Sequence, residues 1–175
     1  MDLMIRVAVV EDAEGIGAAH VAAWLGAYPG LIPDDHLARL DPVARGRAWR
    51  TSIEAGTSDA TTLVARVGDR VAGFVSYGPS REEVDDGWGE LWAINLHPDR
   101  WRQGIGTALV HAAEAGLRGL GYDYGYLWVL DGNQRAIDFY RRVGWPTDGA
   151  IKIDDQYDPP RRELRCSTRL QREGE

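Results

Sequence analysis

The sequence predicts an α/β protein of the α+β type, with a mixed sheet flanked by helices. Three observations support this prediction. The 175 residues, 44% of them apolar and 27% charged, suit one folded domain over residues 1–175 with a single core. Strand-like and helical periodicities alternate along the chain. A hairpin comes early and a strand–helix–strand unit comes late, a combination that favours a mixed sheet with helices on its faces.

In the first half of the chain, local patterns predict a strand, two helical stretches and a hairpin. An alternating, β-branched segment predicts the strand, and apolar residues three and four apart predict a helix that ends at Tyr28-Pro29-Gly30. Asp34 and Asp35 are expected to cap a second helical stretch, which Pro42 interrupts. The predicted elements are a strand at 3–10, a helix at 16–27, a helical stretch from 34 to about 54, and hairpin strands at 61–67 and 70–77.

The second half of the chain is predicted to begin with a polar loop at 78–87. A long apolar stripe from Ile105 to Leu120 predicts a helix. A later helix ends with Arg141 and Arg142 in its last turn, where the helix dipole favours cations, and Gly144 follows as a C-terminal cap. The other predicted elements are strands at 90–96, 124–130, near 151 and at 163–170, and the later helix at 133–143.

Composition excludes several classes of function. The formal net charge of −7 argues against a nucleic-acid partner and fits a cationic or amine substrate better. The single cysteine, Cys166, cannot form an internal disulfide, and no Cys/His cluster has metal-ligand spacing, so no metal is expected. The N-terminal segment does not resemble a signal peptide, and no apolar run is long enough to span a bilayer. We therefore expect a cytoplasmic protein without a membrane partner.

The segment from Leu96 to Thr107 has the pattern of an anion-binding turn. A strand runs into a short turn, and Gly104 and Gly106 then open a helix whose free N–H groups point at one spot. The two glycines are expected to allow a phosphate to approach closely. A plain tight turn is the alternative, since the segment is neither a P-loop nor a full dinucleotide fingerprint. Three side chains are expected to add hydrogen bonds from the rim: Arg100, Arg102 and Gln103.

A second segment, Asp131 to Trp145, supports a functional interpretation of this turn. Its Asn-x-x-Ala helix ends in Phe139-Tyr140 and is followed by Gly144-Trp145, which closely resembles the second signature of the GNAT (GCN5-related N-acetyltransferase) family. The first segment resembles the family's pyrophosphate motif, Arg/Gln-x-x-Gly-x-Gly/Ala, in the family's order and spacing. The resemblance is strongest over residues 90–145. Trp101 departs from the motif's first position, with little expected effect because backbone amides do most of the phosphate binding.

The resemblance implies a GNAT-like acyl-CoA acyltransferase fold with a mostly antiparallel central sheet. It implies an acetyl-CoA-dependent N-acetyltransferase that transfers the acetyl group directly to a primary amine in a ternary complex, with coenzyme A as product. It also implies that the strand ending at Leu96 parts from its neighbour and offers its backbone to the pantetheine arm. The implied cofactor-binding residues are Ile94, Asn95 and Leu96 for the arm, Arg102, Gln103, Gly104, Ile105, Gly106 and Thr107 for the pyrophosphate, and Asn133, which is also a candidate helix N-cap.

Two residues are implied in catalysis. Tyr140 matches the family's general acid, which protonates the departing thiolate; the alternative is a core tyrosine. Glu90 lies six residues before Leu96, where histone-modifying branches of the family place a catalytic glutamate, and it is the candidate base; the alternatives are a solvated strand end and proton removal by water. Cys166 is not expected to act as a covalent relay, because it lies far along the chain from both motifs.

The acceptor is left open by the sequence. Trp24, Tyr28, Trp92 and Trp128 suit either an aromatic acceptor pocket or the core. The main alternative function is a non-catalytic acyl-CoA sensor with the same fold. A nucleotide-binding module, and acylation of an alcohol or a protein N-terminus, are further alternatives. We expect a monomer or a homodimer.

Overall fold

The computed structural model describes residues 2–56 and 59–170. Their helices and strands follow one another in the predicted order, except that Pro42 separates two helices. The helices are α1 (Ala13–Ala27), α2 (Asp34–Ala38), α3 (Pro42–Ala55), α4 (Ile105–Gly119) and α5 (Gln134–Arg142). The strands are β1 (Leu3–Val7), β2 (Thr61–Val67), β3 (Arg70–Pro79), β4 (Trp88–Leu96), β5 (Tyr124–Leu130), β6 (Thr147–Asp154) and β7 (Arg161–Arg169).

The seven strands form one sheet in the order β1-β2-β3-β4-β5-β7-β6. Every neighbouring pair is antiparallel except β4 and β5, which are parallel. The predicted mixed, mostly antiparallel sheet is therefore confirmed. Strand β7 lies between β5 and β6, so the last strand of the chain, rather than the one before it, borders the centre of the sheet.

Several predicted boundaries differ from the structure, and two differences from the predictions have a clear local cause. The first strand ends at Val7 rather than Val10, because the Asp12 carboxylate accepts the Val9 N–H at 2.9 Å and turns the chain into a short 3₁₀ helix before α1. Asp34 and Asp35 lie inside the first turn of α2 and make no capping bond there.

The expected cap is found instead at α3. Asp41 accepts the Val43 N–H at 2.9 Å, and Pro42 occupies the first helical position. Proline is favoured there because its missing N–H is not needed in the first turn. Pro42 therefore starts α3 as well as separating it from α2.

Helices cover both faces of the sheet. The apolar side of α4 packs against β3, β4 and β5 and forms the main core with Tyr140 and Trp145. On the other face, Ile16 of α1 and the half-buried Trp49 of α3 pack against Phe74 of β3. This arrangement leaves the ends of α1, α4 and α5 around the middle of the sheet, where β4 and β5 meet.

Helices α1 and α3 cross at a contact between two glycines. A Cβ added at Gly17 would lie 2.4 Å from the backbone nitrogen of Gly46 and 2.8 Å from the carbonyl oxygen of Pro42. Both obstacles are backbone atoms, so neither can move aside as a flexible side chain would. The absence of a side chain at Gly17 therefore sets the distance between the two helices.

We predict that Gly17→Ala lowers the free energy of unfolding by about 1–3 kcal/mol, because the added methyl group overpacks this crossing. The matched control is Gly119→Ala in the last turn of α4, where an added Cβ meets nothing within 4 Å. This control is expected to be neutral or stabilising by up to about 1 kcal/mol. Urea denaturation of the two variants and the parent checks both values, and equal effects would contradict the crossing argument.

Candidate active site

The parallel strands β4 and β5 pair only at their beginnings. The last registered pair is Glu90 with Tyr126; beyond it β4 continues beside β3 and β5 continues beside β7. Strand β4 also carries an extra residue, Trp92, because Tyr77 of β3 lies opposite Leu91 while Ser76 lies opposite Ala93. Such a bulge bends the strand that contains it. The predicted parting of the two strands is confirmed, and it opens a cleft of about 1220 Å³.

The strand ending at Leu96 presents alternate backbone groups to this cleft. The His97 N–H donates to the Ala72 carbonyl at 2.8 Å, and antiparallel pairs alternate, so the amide groups of Ile94 and Leu96 face the gap while those of Asn95 face β3. All three residues line the cleft. The Leu96 carbonyl, however, accepts the Trp101 indole N–H at 2.8 Å. Of the three residues expected to bind a ligand through their backbone, Ile94 therefore presents its amide groups to the gap and Leu96 presents its N–H. Asn95 does not.

The turn before α4 leaves the first helical amides open. Arg102 and Gly104 both have a positive φ, at 62° and 81°, and Gly104, the N-cap residue, makes no side-chain capping bond. The amides in the first turn of a helix have no intrahelical acceptor, so this end carries a local positive potential. Arg102, Gly104, Gly106 and Thr107 line the cleft beside it.

The structure gives each glycine of the turn a role other than the expected one, which was to allow a phosphate to approach closely. A Cβ at Gly104 would meet nothing within 4 Å, so glycine is favoured there by the positive φ rather than by lack of room. A Cβ at Gly106 would lie 3.2 Å from the Phe139 ring, so this glycine allows α4 to pack on α5.

Two predicted pyrophosphate residues do not line the cleft. Gln103 turns back and donates its side-chain N–H to the Asp99 carbonyl at 2.9 Å. Ile105 is fully buried in the main core. Their positions in the motif are explained by the shape of the turn and by packing.

Trp101, the residue that departs from the family motif, ties this turn to its neighbours. Its indole bonds to Leu96, and the guanidinium carbon of Arg135 in α5 lies 3.4 Å from the centroid of its ring. A Cβ added at Gly26 would lie 2.9 Å from the same ring, so the tryptophan also packs closely on α1. Arg135 lines the cleft and was not predicted as a site residue.

Tyr140 lies on the buried side of α5 and lines the cleft. Its carbonyl accepts the Trp145 N–H at 2.8 Å, and the Trp145 indole donates to Glu114 of α4 at 2.7 Å. Burial raises the pKa of Tyr140 above its ordinary value, and Tyr28 and Cys166 add to the shift. The phenol is therefore a proton donor throughout the physiological range, and it belongs both to the core and to the cleft.

Asn133 is confirmed as the N-cap of α5, and its predicted contact with the cofactor stays a prediction. Its side-chain oxygen accepts the Ala136 N–H at 3.3 Å and so caps α5, and the residue lines the cleft. Because the cap is satisfied by one side-chain oxygen, the amide nitrogen of the same side chain is left for other contacts.

Glu90 is neither a solvated strand end nor a cleft residue. It is 1% exposed and is absent from the cleft wall. Arg81 donates to it from the backbone N–H at 2.9 Å and from the guanidinium at 2.5 Å, and the Tyr126 hydroxyl donates at 3.1 Å. The bulge explains the placement: six residues separate Glu90 from Leu96, but the extra residue Trp92 puts their side chains on opposite faces of the sheet.

One end of the cleft is aromatic. Trp24 of α1, Tyr28 at the C-cap of α1, Trp92 of β4 and Trp128 of β5 all line it, and Trp24 and Tyr28 also pack on a small satellite core. Trp24 and Tyr28 thus belong both to the cleft wall and to packed structure, and an acceptor pocket stays a prediction. Burial raises the pKa of Tyr28 to about 12, with further contributions from Tyr157 and Glu163.

Two polar residues of this end were missed by the sequence analysis. His20 of α1 accepts the Trp49 indole N–H at its Nδ1 at 3.3 Å, and burial, with help from Arg45, lowers the pKa of His20 to about 4. The imidazole is therefore neutral at pH 7 with its proton on Nε2. Glu163 of β7 lies opposite Leu130 of β5, and burial raises the pKa of its carboxyl.

Little in the sequence indicates that His20 and Glu163 line the cleft, and the reason differs between the two. His20 falls on the apolar stripe of α1, where it looked like a core residue. Glu163 reaches the cleft only because β7 pairs with β5, which the linear order does not reveal. Arg135 lies inside the second motif and was the easiest of the missed residues to suspect.

Other chemistries find little support at the cleft. Within residues 2–56 and 59–170, no three His, Cys, Asp or Glu side chains gather as a metal site. No helix among the described residues is long and apolar enough to cross a membrane. Cys166 is buried outside the cleft wall, and burial raises the pKa of its thiol to about 11, which suppresses the reactive thiolate.

Sequence comparisons identify relatives of this chain. The family model described as "Acetyltransferase (GNAT) family" matches residues 24–145. The chain is 34% identical over 137 residues to the N-acetyltransferase YuaI of Bacillus subtilis, covering 78% of this chain and 76% of the relative. It is 31% identical over 165 residues to the mycothiol acetyltransferase of Clavibacter sepedonicus, of which the match spans about half, 52%.

Solved structures share the fold over nearly the whole chain. The PaiA N-acetyltransferase of Thermoplasma acidophilum, in complex with coenzyme A, superposes with a TM-score of 0.73 at 19% identity, covering 97% of this chain and 99% of that one. The YncA structure from Salmonella typhimurium, with its cofactor acetyl-CoA, gives a TM-score of 0.70 at 18% identity, covering 100% and 98%. At these identities the likeness is one of fold.

We predict that the His20 imidazole titrates near pH 4 in the folded protein. The unfolded chain binds the same proton with a pKa of about 6.5. The stability linked to this group is therefore fully present above about pH 6.5 and is lost as the pH falls towards 4. An NMR titration of the imidazole measures the pKa directly. His20→Gln should flatten the decline of the urea midpoint between pH 6.5 and 4, and a His20 pKa above 6 would contradict the assigned tautomer.

Proposed function

Because the chain belongs to the acetyltransferase (GNAT) family, we propose that it is an acetyl-CoA-dependent N-acetyltransferase acting on a primary amine. The proposed reaction is direct transfer of the acetyl group within a ternary complex. One observation carries the proposal: β4 and β5 part after Glu90 beside the uncapped N-terminus of α4, and the cleft between them reaches Tyr140.

The proposed cofactor position follows from the polar groups along the cleft. The amides that begin α4, with Arg102 at the rim, would bind the pyrophosphate of acetyl-CoA. The backbone of Ile94 and the N–H of Leu96 would bind the amide-rich pantetheine arm, and Asn133 would contact the arm from the opposite wall. The relatives solved with coenzyme A and acetyl-CoA support this choice of ligand.

In the proposed chemistry, Tyr140 donates the proton that the departing thiolate takes. The amine nitrogen attacks the thioester carbonyl, a C–N bond forms, and the oxyanion is stabilised by a backbone N–H near Leu96. When the C–S bond breaks, the sulfur takes the Tyr140 proton, and the phenolate regains a proton from the nitrogen of the new amide. The phenol stays protonated at pH 7, as the role requires, although the burial that raises its pKa also makes it a weaker acid towards the thiolate.

The proton of the acceptor ammonium must leave before the attack. We retain Glu90 as the proposed final proton acceptor, reached through the Tyr126 hydroxyl or a water molecule, because its carboxylate is separated from the cleft. The Arg81 guanidinium covers Glu90 and also lies 4.8 Å from the centroid of the Trp92 ring, so movement of this one side chain would shorten the route.

We predict that acetyl-CoA and coenzyme A raise the melting temperature of the protein and that ATP does so less. Gly104→Glu should abolish the rise, because it places a carboxylate at the proposed pyrophosphate site. Gly121→Glu is the matched control: Gly121 has a positive φ of 93° and open space, like Gly104, but lies beyond the other end of α4. Thermal denaturation with each ligand measures the effect, and loss of the rise in both variants would point to misfolding instead.

We predict that Tyr140→Phe lowers kcat for amine acetylation by about 10²- to 10⁴-fold while acetyl-CoA still raises the melting temperature. Release of free coenzyme A thiol in the presence of an accepted amine is the measurement. Tyr122→Phe, in the connection between α4 and β5 and outside the cleft wall, is the matched control and should retain activity. Acetyl-CoA binding without thiol release by the parent protein, across primary amines, would instead favour the non-catalytic sensor.

A further inference from the structure

We propose that the acceptor is a small monoamine with a flat apolar body, and that the Glu163 carboxylate binds its ammonium group. The inference rests on the proposed function, since it concerns the acceptor end of the same cleft. We define the acceptor end by six lining residues: His20, Trp24, Tyr28, Trp92, Trp128 and Glu163.

The walls of the acceptor end form an aromatic slot. Trp24 of α1 and Tyr28, the C-cap residue of α1, meet edge to face with centroids 5.0 Å apart. Trp92 and Trp128 contribute from β4 and β5, the two strands that part. Aromatic rings on separate elements bind a flat apolar body through its faces and edges, and they favour a cation over a ring face.

Glu163, beside this slot, shares its cation with a second carboxylate. Lys152 of β6 places its Nζ 3.3 Å from Glu163 and 2.9 Å from Glu82, so one ammonium is shared by two carboxylates. Asp154 and Glu82 both add negative potential at Glu163. This group of side chains therefore has room for a second cation, and Glu163 is the member that lines the cleft.

Lys152 is the single lysine of the chain, and its contacts illustrate how this wall of the cleft binds an ammonium group. Besides its ion pair with Glu163, its Nζ lies 4.8 Å from the centroid of the Trp128 ring. A carboxylate and an indole face thus already bind one primary ammonium in this wall. An acceptor amine approaching from the cleft side meets the same two residues.

The cations of the cleft come from other elements. Arg102 belongs to the turn before α4, Arg135 lies over the Trp101 ring, and Arg142 ends α5. These arginines suit the anionic cofactor. His20, the imidazole of the acceptor end, is neutral at pH 7 and does not repel an ammonium.

The acceptor end lies in the same cleft as the proposed acid. Glu163 helps to raise the pKa of Tyr28, so these two groups lie near each other. Glu163, Tyr28 and Tyr140 all line one cleft. An amine bound at Glu163 therefore lies in the same cleft as the Tyr140 phenol, which would protonate the leaving thiolate.

The substrate class is tested with a panel of amines and acetyl-CoA. Tryptamine and phenethylamine are the expected acceptors, while spermidine, glucosamine and glutamate are expected to give kcat/KM values lower by about tenfold or more. Spermidine carries excess charge, glucosamine lacks an apolar face, and glutamate adds anions that Glu163 and Glu82 repel. A higher kcat/KM for any of these three than for tryptamine, or no turnover of the two aryl amines, overturns the inference.

The role of Glu163 is tested with Glu163→Gln, which keeps the size of the side chain. KM for tryptamine should rise by about 10- to 100-fold with kcat changed less than about threefold, as for loss of a bond to a charged group. The matched control is Asp148→Asn, which removes a carboxylate paired with Arg165 at 2.7 Å across the same two strands but outside the cleft wall. Its KM should be unchanged.

The outcomes separate this inference from the function on which it rests. Retention of the acetyl-CoA thermal shift in Glu163→Gln shows an intact fold and cofactor site. An equal KM effect in the two variants, or a fall in kcat without a change in KM, overturns Glu163 as the ammonium-binding residue. Absence of any acetyl-CoA shift in the parent protein would instead contradict the proposed function itself.

Discussion

The short pairing of β4 with β5 is the constraint on which the rest of the site depends. If the two strands stayed paired to their ends, the backbone of Ile94 and Leu96 would bond to β5 and no cleft would exist. The bulge at Trp92 bends β4 away just beyond the last pair, while β5 continues straight beside β7 along its whole length. The unpaired edge of β4 is not left to solvent alone, because the Trp101 indole bonds to the Leu96 carbonyl. Strand parting is thus built into the sheet rather than imposed by a ligand.

The buried carboxylates of Asp12 and Glu90 and the half-buried carboxylate of Glu163 differ in the cation that binds them. Asp12 is bound by Arg6 and Arg66, and Glu90 by Arg81, in geometries with several hydrogen bonds. Planar guanidinium groups satisfy several carboxylate lone pairs at once, which suits fixed structural roles. Glu163 alone among these is held by a lysine that it shares with Glu82. A shared point charge satisfies less of a carboxylate, so Glu163 is the acid best placed to bind a further cation.

Sequence patterns predicted correctly those features, such as strand bounds and helix caps, that depend on residues close together in the chain. Strand β5 begins and ends where its alternation indicated, and Asn133 caps α5 as its spacing indicated. The cofactor end lies in two contiguous segments, so the two motifs indicated most of the residues that line it; Gln103 and Ile105 do not line the cleft, and the amide groups of Asn95 face β3. The placement of Glu90 went wrong because counting along β4 assumed a regular strand. Glu163 could not be found locally, because the position of β7 in the sheet is a long-range property.

The two ends of the cleft are therefore built in different ways, with consequences for how each can change. At the cofactor end, Gly106 packs against Phe139 and Trp101 packs against Gly26, so most substitutions there disturb helix contacts as well as ligand contacts. At the acceptor end, the wall residues come from α1 and its C-cap and from β4, β5 and β7, and Glu163 and Lys152 lie near the edge of the sheet, where β6 has a neighbour on one side only. A change in either of these two side chains alters the charge offered to an acceptor without moving the turn before α4. Substitutions at the acceptor end can thus change which amine is bound, while the geometry of the cofactor end stays the same.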